Sequence, residues 1–213
     1  MHAPKNSSRR SKTETFFSKT ERSCFAFPEN DERAHVVITP LKDEAISDFT
    51  VDMRLQFTKM PNMPHWISVN TARDNEFFIS TYHVVLDQKN ILEFPDLKSS
   101  IKLGVFYRMT LTRKGNQMVM FWDGKEYSAT VITSKIPKGA SWVLGQEQDR
   151  RRGGFDASQR FIGNICHFQM WNVGLTKEEA PQFFGNPSSF GKPAVFDNPP
   201  SYKFELMNGA FFY

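Results

Sequence analysis

Between Glu147 and Gln159 the chain carries a run of side chains that end in hard oxygens. Glu147, Asp149 and Asp156 supply carboxylates, and Gln148 and Gln159 supply amide oxygens. Gly153-Gly154 lies between the acidic groups, and glycine's access to positive φ allows a sharp turn that folds Asp156 back toward Glu147 and Asp149. Calcium takes roughly six to eight oxygen ligands, mixing carboxylates, amide oxygens and main-chain carbonyls. The loop has that chemistry, although acidic turns are also common as plain solvated surface. A second oxygen-bearing place is Asp74-Asn75, at the end of a strand-like run where loop residues can act as ligands.

The segments around these residues read as short strands. Phe49, Val51, Met53, Leu55 and Phe57 alternate with Thr50, Asp52, Arg54 and Gln56, which predicts a strand with one face in a core and the other in water. His65–Val69 and Glu76–Ile79 read as a strand pair across residues 71–75, placing Asp74 and Asn75 in the connecting turn. Further strands are expected at Phe25–Phe27, Val36–Ile38, His83–Leu86, Val105–Thr112, Gln117–Trp122, Glu126–Thr133, Ser141–Leu144, Arg160–Trp171 and Tyr202–Leu206. Lys114-Gly115-Asn116 and Asp123-Gly124 are the turn signals between them. One short helix is expected after Trp171, where Thr176 and Glu179 have the spacing of a capping box and Pro181 keeps the stretch short. Many short strands with almost no helix predict an all-β fold, a two-sheet antiparallel jelly-roll sandwich.

At 213 residues the chain is long enough for one sizeable core, and its 21 phenylalanines suit a strand-rich domain. Residues 1–20 are polar and basic and read as a disordered arm, leaving 21–213 as one domain. The net charge of +4 sits partly in that arm, so charge does not argue for nucleic acid, and deleting the arm would test what remains of that reading. No apolar run is long enough for a membrane span, and the N-terminus shows no signal-peptide pattern. The two cysteines, Cys24 and Cys166, read as buried free thiols, with a bridge open to them if their strands lie side by side. The five histidines show no ligand spacing, and Gly-x-Ser-x-Gly, Walker and His-Glu-x-x-His patterns are absent from the sequence. Glu147 and Asp156 could pose as a glycosidase pair, but the calcium reading explains more residues. The expectation is a protein that is not an enzyme.

Leu144-Gly145-Gln146-Glu147-Gln148-Asp149, Gly153-Gly154-Phe155-Asp156-Ala157-Ser158-Gln159 and Met170-Trp171 together closely resemble the calcium-loop region of the pentraxins. Phe25-Ala26-Phe27-Pro28-Glu29, Phe49-Thr50-Val51, Asp74-Asn75-Glu76 and Phe121-Trp122-Asp123-Gly124-Lys125 extend the resemblance from about Ser23 to Tyr213. The resemblance implies a flattened jelly roll, two calcium ions per chain on one face, ring-shaped homo-oligomers that are commonly pentamers, and secretion. Residue by residue it carries the calcium ligands to Asp74, Asn75, Glu147, Gln148 through its carbonyl, Asp149, Asp156 and Gln159. Asp156 stands where better-known members have Glu; it keeps the charge with one methylene less reach.

Three departures qualify what the resemblance implies. The family disulfide joins the core strand to a His-x-Cys signature, and those places hold Asp52 and Met109 or its neighbour, so that bridge cannot form. Its loss removes about 2–4 kcal/mol unless Cys24 and Cys166 compensate. The ligand pocket falls at Ser80 and Tyr82, which weakens the aromatic seat for a choline group. Arg150, Arg151 and Arg152 lie within the loop, where they are either solvated or capture an anion bidentately. The expected function is calcium-dependent recognition of an anionic ligand, a phosphate monoester or acidic carbohydrate, held through bound calcium. The alternative is an adhesion module that binds protein partners and uses calcium only to stabilise the loop.

Overall fold

The computed structural model describes residues 24–71, 73–131, 134–185 and 203–213. The expected arm, residues 132–133 of one expected strand and Tyr202 of another lie outside the described residues. In chain order the strands are β1 (Cys24–Phe27), β2 (His35–Thr39), β3 (Phe49–Phe57), β4 (His65–Asn70), β5 (Phe77–Ser80), β6 (His83–Leu86) and β7 (Lys89–Glu93). They continue with β8 (Phe106–Lys114), β9 (Gln117–Trp122), β10 (Lys125–Thr130), β11 (Ser141–Leu144), β12 (Gly163–Trp171), β13 (Lys203–Met207) and β14 (Phe211–Phe212). Two short helices, α1 (Leu97–Ser100) and α2 (Ala180–Gly185), complete the described elements.

The strands form two antiparallel sheets of seven. One runs β10-β9-β8-β3-β12-β1-β14 and the other β13-β2-β11-β4-β5-β6-β7. Their inner faces enclose a continuous apolar core, to which β3 contributes Phe49, Val51, Met53, Leu55 and Phe57, all fully buried. Trp66 of β4 stacks on Trp122 of β9 at 5.4 Å, and Tyr107 of β8 also stacks on Trp122 at 5.0 Å. These rings fill the gap between the sheets and tie the strand that leads into Asp74 to the opposite layer.

The structure corrects the sequence reading in three places. Cys24 and Cys166 are not free thiols: β1 and β12 pair with the two residues directly opposite one another, and they form a disulfide. The outer face of β3 is not open to water throughout, since Thr50 and Asp52 are buried there. The segment after β12 lies across that face. Thr50 donates to the Val173 carbonyl at 2.8 Å, and Thr112 donates to the Leu175 carbonyl at 3.1 Å. Phe183 of α2 packs edge-on to Trp171 at 5.0 Å, in a small outer cluster with Val119 and Phe121. Helix α2 is formed with its capping box, Glu179 accepting from the Thr176 N–H and Thr176 accepting from the Glu179 N–H. Pro181 sits inside its first turn, where a missing N–H is harmless, and the helix is short as expected, 6 residues. A second helix, α1, was not expected from the sequence, and neither were β7 and β14.

The place of the family disulfide holds a polar contact instead. Asp52 lies opposite Thr110 in the β3–β8 register, and its carboxylate accepts from Thr110 Oγ1 and from the guanidinium of Arg108. Burial pushes the Asp52 carboxyl upward while Arg108 and Thr110 pull it down. Beside this network β12 bulges between Cys166 and Gln169, with His167 at a φ of 52°.

Candidate metal centre

The centre is built where β11 ends. Gly145 turns the chain out of the sheet with a φ of +84°, and an added Cβ there would lie 2.3 Å from the Phe27 ring. Only glycine tolerates both the conformation and that close approach. Its N–H donates to the Trp66 carbonyl at 3.1 Å and its carbonyl accepts from Phe161 at 2.9 Å. Those bonds anchor both ends of the loop to the core.

From that anchor Gln146, Glu147 and Gln148 run inward and are buried, while Asp149 emerges. The Gln148 side chain acts as a pin. Its amide donates to the carbonyls of Ser68 and Ser141 at 2.9 and 3.1 Å, and its amide oxygen accepts from the Arg152 N–H at 2.8 Å. The side-chain oxygen that the sequence offers to a cation is therefore engaged with the backbone. The Gln148 main-chain carbonyl accepts from Asn70 Nδ2, and Asn70 Oδ1 accepts from the Glu76 N–H at 3.2 Å. Asn70 thereby joins the loop to the turn that carries Asp74. Glu76, also buried, holds that turn by accepting from Thr71 Oγ1 and from Arg73 Nε at 3.2 Å. Asn75 completes it at a φ of 56°.

These constraints bring three carboxylates together. Oxygens of Asp74, Glu147 and Asp149 lie within 4.8 Å of one another. Burial and the nearby Asp149 and Asp74 push the Glu147 carboxyl up to about 8. Asp74 is also raised, by burial first and by Asp149 second. Asp74 Oδ1, Glu147 Oε1 and Gln159 Oε1 are buried oxygens without a hydrogen-bond partner among the described residues. Unpartnered buried acceptors and mutually repelling carboxylates are both relieved by a divalent cation, so the donor set fits calcium.

The remaining expected residues stand differently. The turn Arg150–Gly153 closes with two backbone hydrogen bonds of 2.9 and 3.2 Å, and Gly154 brings the chain back against Asp149, where a Cβ would lie 2.7 Å away. Asp156 lies outside the three-carboxylate cluster; it is exposed and accepts from the Ser158 N–H at 2.8 Å. Gln159 is tied to β4, its carbonyl accepting from the His65 N–H at 2.9 Å. Burial lowers the His65 imidazole to about 4, so it is neutral at physiological pH.

Ser80 is fully buried, and its hydroxyl is committed to the β5–β6 turn, accepting from Tyr82 and His83 N–H groups at 3.2 Å. Lys98 Nζ covers the Tyr82 ring at 5.3 Å. Arg150 and Arg152 line a groove with Arg33 and His35, while Arg151 is exposed apart from it. Asn70, Ser68 and Glu76 are the positioning residues that sequence reasoning missed. Their one signal was a polar side chain inside or just beyond an apolar strand run.

The sequence model of the Pentaxin family matches residues 23–197. Serum amyloid P-component of Mus musculus is 28% identical over 172 residues, covering 75% of this chain and 73% of the relative. C-reactive protein of Homo sapiens is 28% identical over 188 residues, covering 81% and 82%. A native heptameric SAP-like pentraxin from Limulus polyphemus superposes with a TM-score of 0.74 at 21% identity, over 92% of this chain and 96% of that one. With two seven-stranded sheets and a match spanning most of its length, the chain belongs to the pentraxin family, whose members are calcium-dependent recognition proteins rather than enzymes.

Proposed function

We propose that this chain binds calcium at the end of β11 and uses the bound metal to hold an anionic ligand, a phosphate monoester or an acidic carbohydrate. The observation that carries the reading is the convergence of Asp74, Glu147 and Asp149, with two of their oxygens buried and unpartnered among the described residues. Asp74, Asn75, Glu147, the Gln148 carbonyl and Asp149 would hold a first ion, and Asp156 and Gln159 would complete a second, giving two ions per chain. Bound calcium would present open coordination positions to ligand oxygens. The shorter reach of Asp156, and its place outside the cluster, make the second ion the weaker.

We assign the protein to the extracellular space and to a ring of identical subunits, on the strength of its serum relatives and of the heptameric neighbour. A ring multiplies weak contacts to a repetitive surface, which suits recognition of polyanionic particles. Residues 1–20 remain a basic arm attached to a domain of residues 21–213 in this reading.

One observation favours the second reading, an adhesion module. Ser80 is buried and Tyr82 lies under Lys98, so neither offers an open aromatic seat for a small ligand. Calcium titration by calorimetry, followed by titration of a free phosphate monoester into the calcium-loaded protein, separates the two. Two calcium steps and calcium-dependent binding of the ester support recognition through metal. Calcium binding without any ester binding transfers the lead to the adhesion module, and no calcium binding at millimolar concentrations overturns both.

A further inference from the structure

Strand β2 alternates about the sheet plane: Val36 and Ile38 enter the core, while His35 and Val37 face outward. Outward residues normally meet water, yet both are buried. The returning limb of the metal loop packs over His35, with the Phe155 ring 4.5 Å from the His35 imidazole. Opposite β2, strand β13 places Glu205 beside Val37 and Met207 beside His35. Loop and strands together enclose a groove of ≈ 490 Å³.

The charge in this groove is lopsided. Arg33, Arg150 and Arg152 all line it, and none of the three makes an ion pair among the described residues. The Arg150 side chain lies over the turn, its Nε 3.2 Å from where a Cβ of Gly153 would be. His35 donates from Nδ1 to the Arg33 carbonyl at 2.7 Å, and burial holds its pKa below the usual value, so it adds no charge at neutral pH. Glu205 is the one carboxylate among the lining residues, and nearby Asp31 accepts from the Arg33 N–H at 3.0 Å. Three guanidinia against one lining carboxylate leave an excess suited to a dianion. Guanidinium groups pair with phosphate oxygens through paired N–H donors, and the half-buried Phe155 offers an apolar surface for a flat or ring-shaped body.

We infer that this groove is a second ligand site, independent of metal, that takes a small ring-bearing phosphate monoester. The phosphate sits among Arg33, Arg150 and Arg152, and the ring lies against Phe155. None of the groove's lining residues is a proposed calcium ligand, so its charge chemistry does not require the ion. The loop is shared with the metal centre, however, through the Arg152 N–H bond to Gln148 Oε1. Calcium loading and groove binding should therefore strengthen one another.

The test uses phenyl phosphate in calorimetry with Glu147→Gln, which removes a proposed calcium ligand and also relieves the carboxylate repulsion that would loosen the apo loop. Saturable binding of phenyl phosphate to this variant in chelator is expected. It should weaken about tenfold when Arg33→Ser or Arg152→Ser is added, the ordinary effect of losing a charge-assisted contact. Phenyl sulfate, a monoanion, and inorganic phosphate, which lacks the ring, should both bind less tightly. Arg33 and Arg152 are exposed, so unchanged melting temperatures in the serine variants show that the fold is intact. Absence of binding to Glu147→Gln, or binding undiminished by both serine substitutions, overturns the groove site. Wild-type protein that binds phenyl phosphate equally in calcium and in chelator instead overturns the metal-held ligand and the coupling between loop and groove, and leaves the groove site itself standing.

Discussion

Asp52 and Arg108 form a two-pronged ion pair across neighbouring strands, with Nε and Nη2 of the guanidinium 2.9 and 3.2 Å from the two carboxylate oxygens. The partners are unequally placed: the Asp52 side chain is 7% exposed and that of Arg108 is 30% exposed. Removing either side should therefore not be equivalent. Arg108→Ala strands a buried carboxylate and should destabilise the fold by about 3 kcal/mol. Asp52→Ala leaves a guanidinium that can still reach water and should destabilise it less. Urea midpoints of the two variants measure the difference, and equal losses would refute the asymmetry.

Calcium should raise the melting temperature by about 5–10 °C at roughly a hundredfold excess over its dissociation constant, given about 2.7 kcal/mol of linkage in a domain of this size. Asp149→Ala should abolish the rise. Asp156→Ala should remove only a weaker second step in the calorimetric titration, because Asp156 stands outside the three-carboxylate cluster. A variant at Asp156 that eliminates all binding would mean that the two ions are held as one unit.

In chelator, the carboxylate cluster should make stability depend on pH. The Glu147 carboxyl is raised from 4.5 to about 8 in the fold. A raised folded value means that its favourable contribution is complete below the unfolded value and is lost as pH climbs through the folded one. The melting temperature of the calcium-free protein should thus decline between about pH 5 and pH 8, and Glu147→Gln should flatten that decline. Identical slopes in the two proteins would rule out Glu147 as its source.

Gly145→Ala should both destabilise the protein, by about 2 kcal/mol or more, and impair the metal loop. The added Cβ meets the Phe27 ring and the backbone sits at φ +84°. Gly115→Ala is the matched control, since its φ is +61° but nothing lies within 4 Å of the added atom. Comparable losses in the two would assign the effect to backbone conformation alone.

How much of this was legible beforehand follows from the range of each interaction. The β3 alternation is local, and all five inward residues are buried as the pattern predicts. Its outer face was misread because the cover over Thr50 comes from Val173, more than a hundred positions away, and the partners of Asp52, Arg108 and Thr110, come from β8. The cysteine pairing depended on strand register, which no local pattern encodes. Strand β7 is exposed at its first two residues, and β14 is two residues long, so neither shows a periodic signal. At the candidate metal centre Asp74, Glu147 and Asp149 were legible as oxygen donors at the ends of strands. Asn70 and Ser68 were not, because a polar residue in a buried strand gives no hint of which distant carbonyl or N–H it serves. Ser80 was assigned to a pocket by resemblance, but its hydroxyl closes the β5–β6 turn.

The bond between Cys24 and Cys166 spans the metal loop, with the three consecutive arginines lying between its two ends in sequence. A trypsin-like protease cutting at Arg150–Arg152 would divide the chain into one piece holding Cys24 and another holding Cys166. The nicked molecule, heavier only by the water of hydrolysis, would run as one band until a reductant was added, then separate into two. A chain built this way can be clipped at an exposed loop without shedding either half.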